Sequence, residues 1–167
     1  MHKRNTTSSG FTIVELLIVI VVIAVLAAIS VVAYTGIQHR ATASAVQNDL
    51  SQAQKKLMLF HVDNGRYPAS AAELSTAEIS ATKSAYGTGN NFYYCLNTNS
   101  GQFAIGARIA GNTESYYVAS SGGVRQAPSQ VTWDSTCQEA GLTGTSDPGA
   151  VISAGYLSST GWQSWVR

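Results

Sequence analysis

From Leu16 to Gln38 the chain runs for 23 residues without an Asp, Glu, Lys or Arg. Wound as an α-helix, that stretch is about 35 Å long, enough to cross a hydrocarbon core of about 30 Å. Nothing else in the sequence restricts the fold as strongly. A helix apolar on every side is insoluble by itself and has to be covered by lipid, by protein or by further copies of itself. The rest of the chain offers little charge to offset it, since only 11% of all residues are charged while 45% are hydrophobic. Lys3 and Arg4 precede the run, and a basic flank of this kind keeps the N-terminus in the cytoplasm and sends the remainder outward. The net charge of +1 gives no electrostatic ground for a nucleic-acid binder.

Three readings of the N-terminal segment compete. A secretory signal has an apolar region of roughly 7–15 residues and is cut on its far side. Ala28-Ile29-Ser30 could supply such a site, but Val31-Val32-Ala33 carries the apolar run past it. An uncleaved anchor fits the length and the orientation. Neither reading accounts for Glu15, a carboxylate at the edge of an otherwise uncharged span. An acidic residue inside a membrane helix costs up to about 3 kcal/mol, less near the interface, and points to a charged partner or to the headgroups.

The third reading rests on residue order. Gly10-Phe11-Thr12-Ile13-Val14-Glu15-Leu16, then Leu17-Ile18-Val19-Ile20, Leu26-Ala27-Ala28-Ile29 and Ala33-Tyr34, follows a polar, basic leader. This resembles the prepilin signature of type IV pilins and their pseudopilin relatives. The resemblance implies that a prepilin peptidase cuts the Gly10–Phe11 bond on the cytoplasmic side and that Phe11 is N-methylated. The apolar helix would then be retained. It also implies that Glu15 pairs with the new N-terminal amine of a neighbouring subunit during assembly. Loss of Lys3 and Arg4 with the leader takes the formal charge from +1 to −1. Many pilins have a glycine where this chain has Ala24 and a proline where it has Val32. Without those helix-weakening residues, a more continuous helix is expected here.

The helix is expected to continue outside the membrane. Val46, Leu50, Ala53, Leu57 and Phe60 recur at steps of four and three, with Gln47, Asn48, Asp49, Ser51, Gln52, Gln54, Lys55 and Lys56 between them. That is one apolar stripe on a polar helix. A helix from Phe11 to about His61 would be roughly 75 Å long. Asp63-Asn64-Gly65-Arg66-Tyr67-Pro68 supplies a left-handed cap followed by a proline. An Asn-Gly-x-Tyr-Pro element at this place also resembles major pseudopilins and several pilins. Beyond it, Phe92–Leu96, Gln102–Ile109, Tyr116–Ala119 and Val124–Ala127 read as strands. They predict an antiparallel meander of three or four strands packed on the helix. Residues 128–167 read mainly as loop, with a short helix near Ser135–Ala140. Tyr93, Tyr94, Tyr116 and Tyr117 fit a core better than a sticky surface. If the chain is exported, Cys95 and Cys137 favour one disulfide; in a reducing compartment they would be two free thiols.

The expected architecture is therefore α+β and pilin-like: a cleaved leader at 1–10, a membrane-spanning and filament-core helix at 11–34, its amphipathic continuation at 35–63, and a β-rich head at 64–167. No enzyme is expected. His2, His39 and His61 lie beside no nucleophile or metal-ligand pattern. Major pseudopilins bind calcium in a region like the C-terminal loops, but Asp134, Glu139 and Asp147 are dispersed. No metal or cofactor is expected. The resemblance implies a structural subunit of a type IV pilus-like filament, with related pilin subunits, a prepilin peptidase and a membrane assembly platform as partners. It would sit in the cytoplasmic membrane, head outside, and then in an extracellular fibre. A type II secretion pseudopilin is the alternative within the family. A monomeric anchored or secreted binding module or hydrolase is the alternative outside it.

Overall fold

The computed structural model of the chain describes residues 10–87, 89, 91–111, 113–142 and 149–167. Positions 1–9, read above as most of a leader, with His2, Lys3 and Arg4, and Asp147 lie outside the described residues. The chain has an α+β, pilin-like architecture, with one long helix followed by a five-stranded antiparallel sheet.

Helix α1 spans Ile13–Asn64 without interruption. Ala24 and Val32 leave its backbone ladder unbroken, as expected where neither glycine nor proline intervenes. The chain separates into a compact unit ending at Arg40 and a second beginning at Ala41. In the first, Leu16, Ile20, Ile23, Leu26, Ile29 and Ile37 are each more than half exposed. In the second, Val46, Leu50, Ala53 and Leu57 are fully buried and Phe60 is half-buried, which is the stripe expected from the spacing. Gly65 ends α1 at φ +72°, donating its N–H to the His61 carbonyl at 2.8 Å. This is the left-handed cap that Asn-Gly predicts.

The sheet contains β1 (Phe92–Asn97), β2 (Gln102–Arg108), β3 (Ser115–Ala119), β4 (Arg125–Gln126) and β5 (Ala150–Ala154), in the order β4-β3-β2-β1-β5. The first four lie where the β-rich runs place them. Phe92, Tyr94 and Leu96 of β1, with Phe103, Ile105 and Ala107 of β2, pack into the same core as the α1 stripe. Tyr93 and Cys95 point to the opposite face, as strand alternation requires. That face is covered as well, by Val131, by α3 (Trp133–Glu139) and by Leu142. Gly106 of β2 permits this close cover, because a Cβ there would collide with the Val131 and Thr136 side chains. Tyr93, Tyr94 and Tyr116 are buried and Tyr117 is half-buried, so these rings mostly fill the core.

Two sequence expectations are corrected and one is extended. Besides the short helix expected in residues 128–167, found as α3, β5 pairs with β1, and a second two-stranded sheet joins β6 (Tyr156–Leu157) to β7 (Gly161–Trp162). β5 is short and weakly alternating, and its pairing with β1 is non-local, so no local pattern announces it. A helix, α2 (Ala71–Thr76), follows Pro68 where strands are expected. Ser70 caps it by accepting from the Glu73 N–H at 3.2 Å, while Arg66 grips the Glu73 carboxylate with two bonds of 2.7 Å. Finally, Asp49 and Gln54 are buried, not part of a solvated face.

Candidate functional site

Helix α1 begins with a reciprocal hydrogen-bonded lock. Thr12 precedes the first helical residue, and its hydroxyl accepts from the Glu15 N–H at 3.2 Å. Oε2 of Glu15 turns back to accept from the Thr12 N–H at 2.9 Å and from the Thr12 hydroxyl at 2.7 Å. This is a capping box, in which two backbone N–H donors that a helix start leaves unpaired are each satisfied by the other residue's side chain. It also places a negative charge at the positive end of the helix dipole. Oε1 of Glu15 makes no hydrogen bond among the described residues, and the side chain stands open to its surroundings. One carboxylate oxygen thus holds the helix start while the other is left to accept a further donor.

The flanking residues are equally accessible. Gly10 meets nothing within 4 Å of where a side chain would begin, and Phe11 is 88% exposed. The Gly10–Phe11 bond therefore lies in open, non-helical chain immediately before the capped helix. The sequence reading singled out Gly10, Phe11 and Glu15 but gave Thr12 no role. Its role is legible in hindsight, because Thr-x-x-Glu ahead of an apolar run is itself a helix-start signal.

In the second unit, the buried polar residues secure the head to α1. Asp49 accepts from the Thr82 N–H at 2.6 Å, the Thr82 hydroxyl at 3.1 Å and the Tyr86 hydroxyl at 2.8 Å. Burial first, and the Asp49 charge second, push the Tyr86 hydroxyl far above its ordinary pKa, so it stays a donor. Gln54 donates at 2.8 Å to the carbonyls of both Ala119 and Gly122. Cys95 on β1 and Cys137 on α3 form a disulfide with Cα atoms 5.2 Å apart, and both are fully buried. Glu73 has its carboxyl pulled down to about 2, chiefly by the Arg66 guanidinium and then by the Ala69 N–H.

No group of three or more His, Cys, Asp or Glu side chains is gathered for a metal among the described residues. Asp134 and Glu139 sit on α3, and the His61 ring lies tilted against Tyr67 with ring centroids 4.6 Å apart.

The family model for the prokaryotic N-terminal methylation motif matches residues 5–31. The chain carries a prepilin signal. This signal, shared by type IV pilins and pseudopilins, takes in Gly10 and Phe11, the Thr12–Glu15 lock and the first part of the apolar span. It supports a place in the type IV pilin-like or pseudopilin family and implies processing by a prepilin peptidase followed by assembly into filaments. No curated protein matches the chain.

Proposed function

We propose that this chain is a structural subunit, major or minor, of a type IV pilus-like surface filament. The single observation that carries the reading is the pairing of a prepilin signal with an apolar first part of α1 whose large side chains, from 13 to 37, are left exposed among the described residues. Before assembly the span lies in the cytoplasmic membrane with the head outside. After cleavage at Gly10–Phe11 and methylation of Phe11, the helix leaves lipid for a bundle of identical or related helices. An assembly platform in the membrane drives that transfer.

Glu15 guides the docking of each incoming subunit. Two isolated charges in a low-dielectric medium are each costly, and a close opposite pair offsets much of that cost. The positive amine exposed at Phe11 of one subunit seeks the Glu15 carboxylate of the next, and Oε1 is the oxygen left to accept it. The Thr12 hydroxyl presents that carboxylate by holding Oε2.

A pseudopilin of a type II secretion machine is the second reading, favoured by the Asn64–Pro68 element and its left-handed Gly65 cap. Mass spectrometry of the mature protein tests what both have in common. A methylated Phe11 terminus is the expected result; an intact Met1 or a terminus near Val31 overturns both. Imaging of cells then separates them, since long surface fibres containing the chain support the pilus and their absence during active secretion supports the pseudopilin.

A further inference from the structure

Among the described residues from Ala41 onward, Met58, Leu59 and Val62 are the large hydrophobic side chains left exposed. They lie within five residues of one another on α1. Leu59 (62% exposed) and Val62 (78%) lie outside the buried stripe, and Leu59 and Asp63 border an open groove whose other side is Thr76, Ala77 and Glu78. Asp63 follows on the same face, one helical turn beyond Leu59, and it is exposed with no hydrogen bond or ion pair among the described residues. A monomer gains nothing by presenting two greasy knobs beside an unpaired carboxylate.

The first unit holds the complementary shape. Val32, Ala33, Gly36, Ile37 and Arg40 line a shallow notch on α1. Gly36 sits mid-helix, where glycine weakens the helix relative to alanine. Nothing within the molecule requires it, because a side chain there would meet no atom within 4 Å and its backbone is ordinary. Arg40, one turn beyond Gly36, is exposed and likewise has no hydrogen bond or ion pair among the described residues.

The geometry points to a contact between two copies of this chain, in which Leu59 of one copy seats in the Gly36 notch of another and Asp63 pairs with Arg40. Leu59 and Gly36 are separated by 23 positions, and so are Asp63 and Arg40. Leu59 and Asp63 are one helical turn apart on one copy, as are Gly36 and Arg40 on the other, so a single parallel register makes both contacts at once. Membrane insertion in one orientation supplies the parallel arrangement. The pairing gives the helices an axial register outside the bilayer, independent of Glu15. It rests on the filament reading above and specifies one of its interfaces.

Full-length chains expressed with a prepilin peptidase and an assembly platform test the register. Arg40→Asp and Asp63→Arg should each lower the yield of sheared fibres about tenfold, the loss expected for a broken interfacial charge pair. The double variant should restore most of it. Both positions are exposed and unpaired in the monomer, so circular dichroism of each variant should match wild type. As a second measurement, a chain carrying both Gly36→Cys and Leu59→Cys should give an oxidation-dependent ladder of covalent multimers in fibres, while either substitution alone should not. Wild-type fibres with neither charge rescue nor a ladder overturn the register and leave the filament reading standing. A processed, membrane-inserted wild-type chain that never forms fibres overturns both.

Discussion

Helix α1 is one continuous element, yet its two parts are stabilised in different ways. From residue 13 to 37 every large apolar side chain is more than half exposed. From Val46 to Leu57 the apolar stripe is fully buried against strands β1, β2 and β3, with Asp49 and Gln54 bonded into the head. Both parts are equally regular as secondary structure, so regularity alone does not reveal how a helix is supported. The second part is sustained by its own domain. The first depends on surroundings that its own unit does not supply, and the proposed filament is one way of supplying them.

The sharpest way to break this contrast is at Glu15. Glu15→Ala should leave membrane insertion intact but reduce incorporation into fibres by more than about tenfold, because leaving one charge of a buried pair unpaired costs about 3–5 kcal/mol. Quantifying mutant and wild-type subunits in sheared fibres from a mixed population checks this; equal incorporation would refute the pairing role.

The next effect belongs to the head. Replacing both Cys95 and Cys137 with serine opens a link of sequence separation 42 and should cost about 4 kcal/mol in the chain-entropy picture. Urea titration of the detergent-solubilised chain, followed by near-UV circular dichroism, should register that loss while the far-UV signal of the apolar helix persists. If both signals melted together, the two parts would not be independently stabilised.

Asp49→Ala should destabilise the head by about 3 kcal/mol, since it strands the Thr82 N–H and the Tyr86 hydroxyl without their acceptor. The same titration measures it. Asp49→Asn, which retains an acceptor, should lose less; a neutral Asp49→Ala would mean that the buried carboxylate does not anchor the 82–86 segment.

The smallest effect is a local one. The Glu73 carboxyl is depressed from an ordinary value near 4.5 to about 2. A depressed carboxyl contributes stability that is present above the unfolded value and disappears as pH falls through the folded one. The Arg66–Glu73 clasp should therefore loosen between about pH 4.5 and pH 2, with chemical-shift changes confined to residues 66–73. Glu73→Gln should abolish that titration without altering the unit before Ala41.

How much of this was legible beforehand varies with the range of the interaction responsible. The apolar span, the apolar stripe and the Gly65 cap depend on neighbours within about one helical turn, and the residue order shows them directly. Thr12 belongs with these, although its role as a cap went unread. Asp49 and Gln54 could not be told from the polar residues around them, because their burial depends on partners more than 30 positions away. β5 was missed for a similar reason, as it is defined by pairing with a strand more than 50 residues earlier.

By itself the residue order determined that this protein has a charge-free membrane-length helix behind a prepilin signal, followed by an amphipathic continuation and β-rich segments. Those properties follow from local hydrophobicity, turn chemistry and a short recognition motif. Only the tertiary structure decided that the sheet has five strands covered on both faces, that a buried carboxylate and amide bind the head to α1, and which apolar residues of the head remain exposed. Burial is a property of the assembled surfaces, and a side chain's own identity does not say which distant partner will cover it.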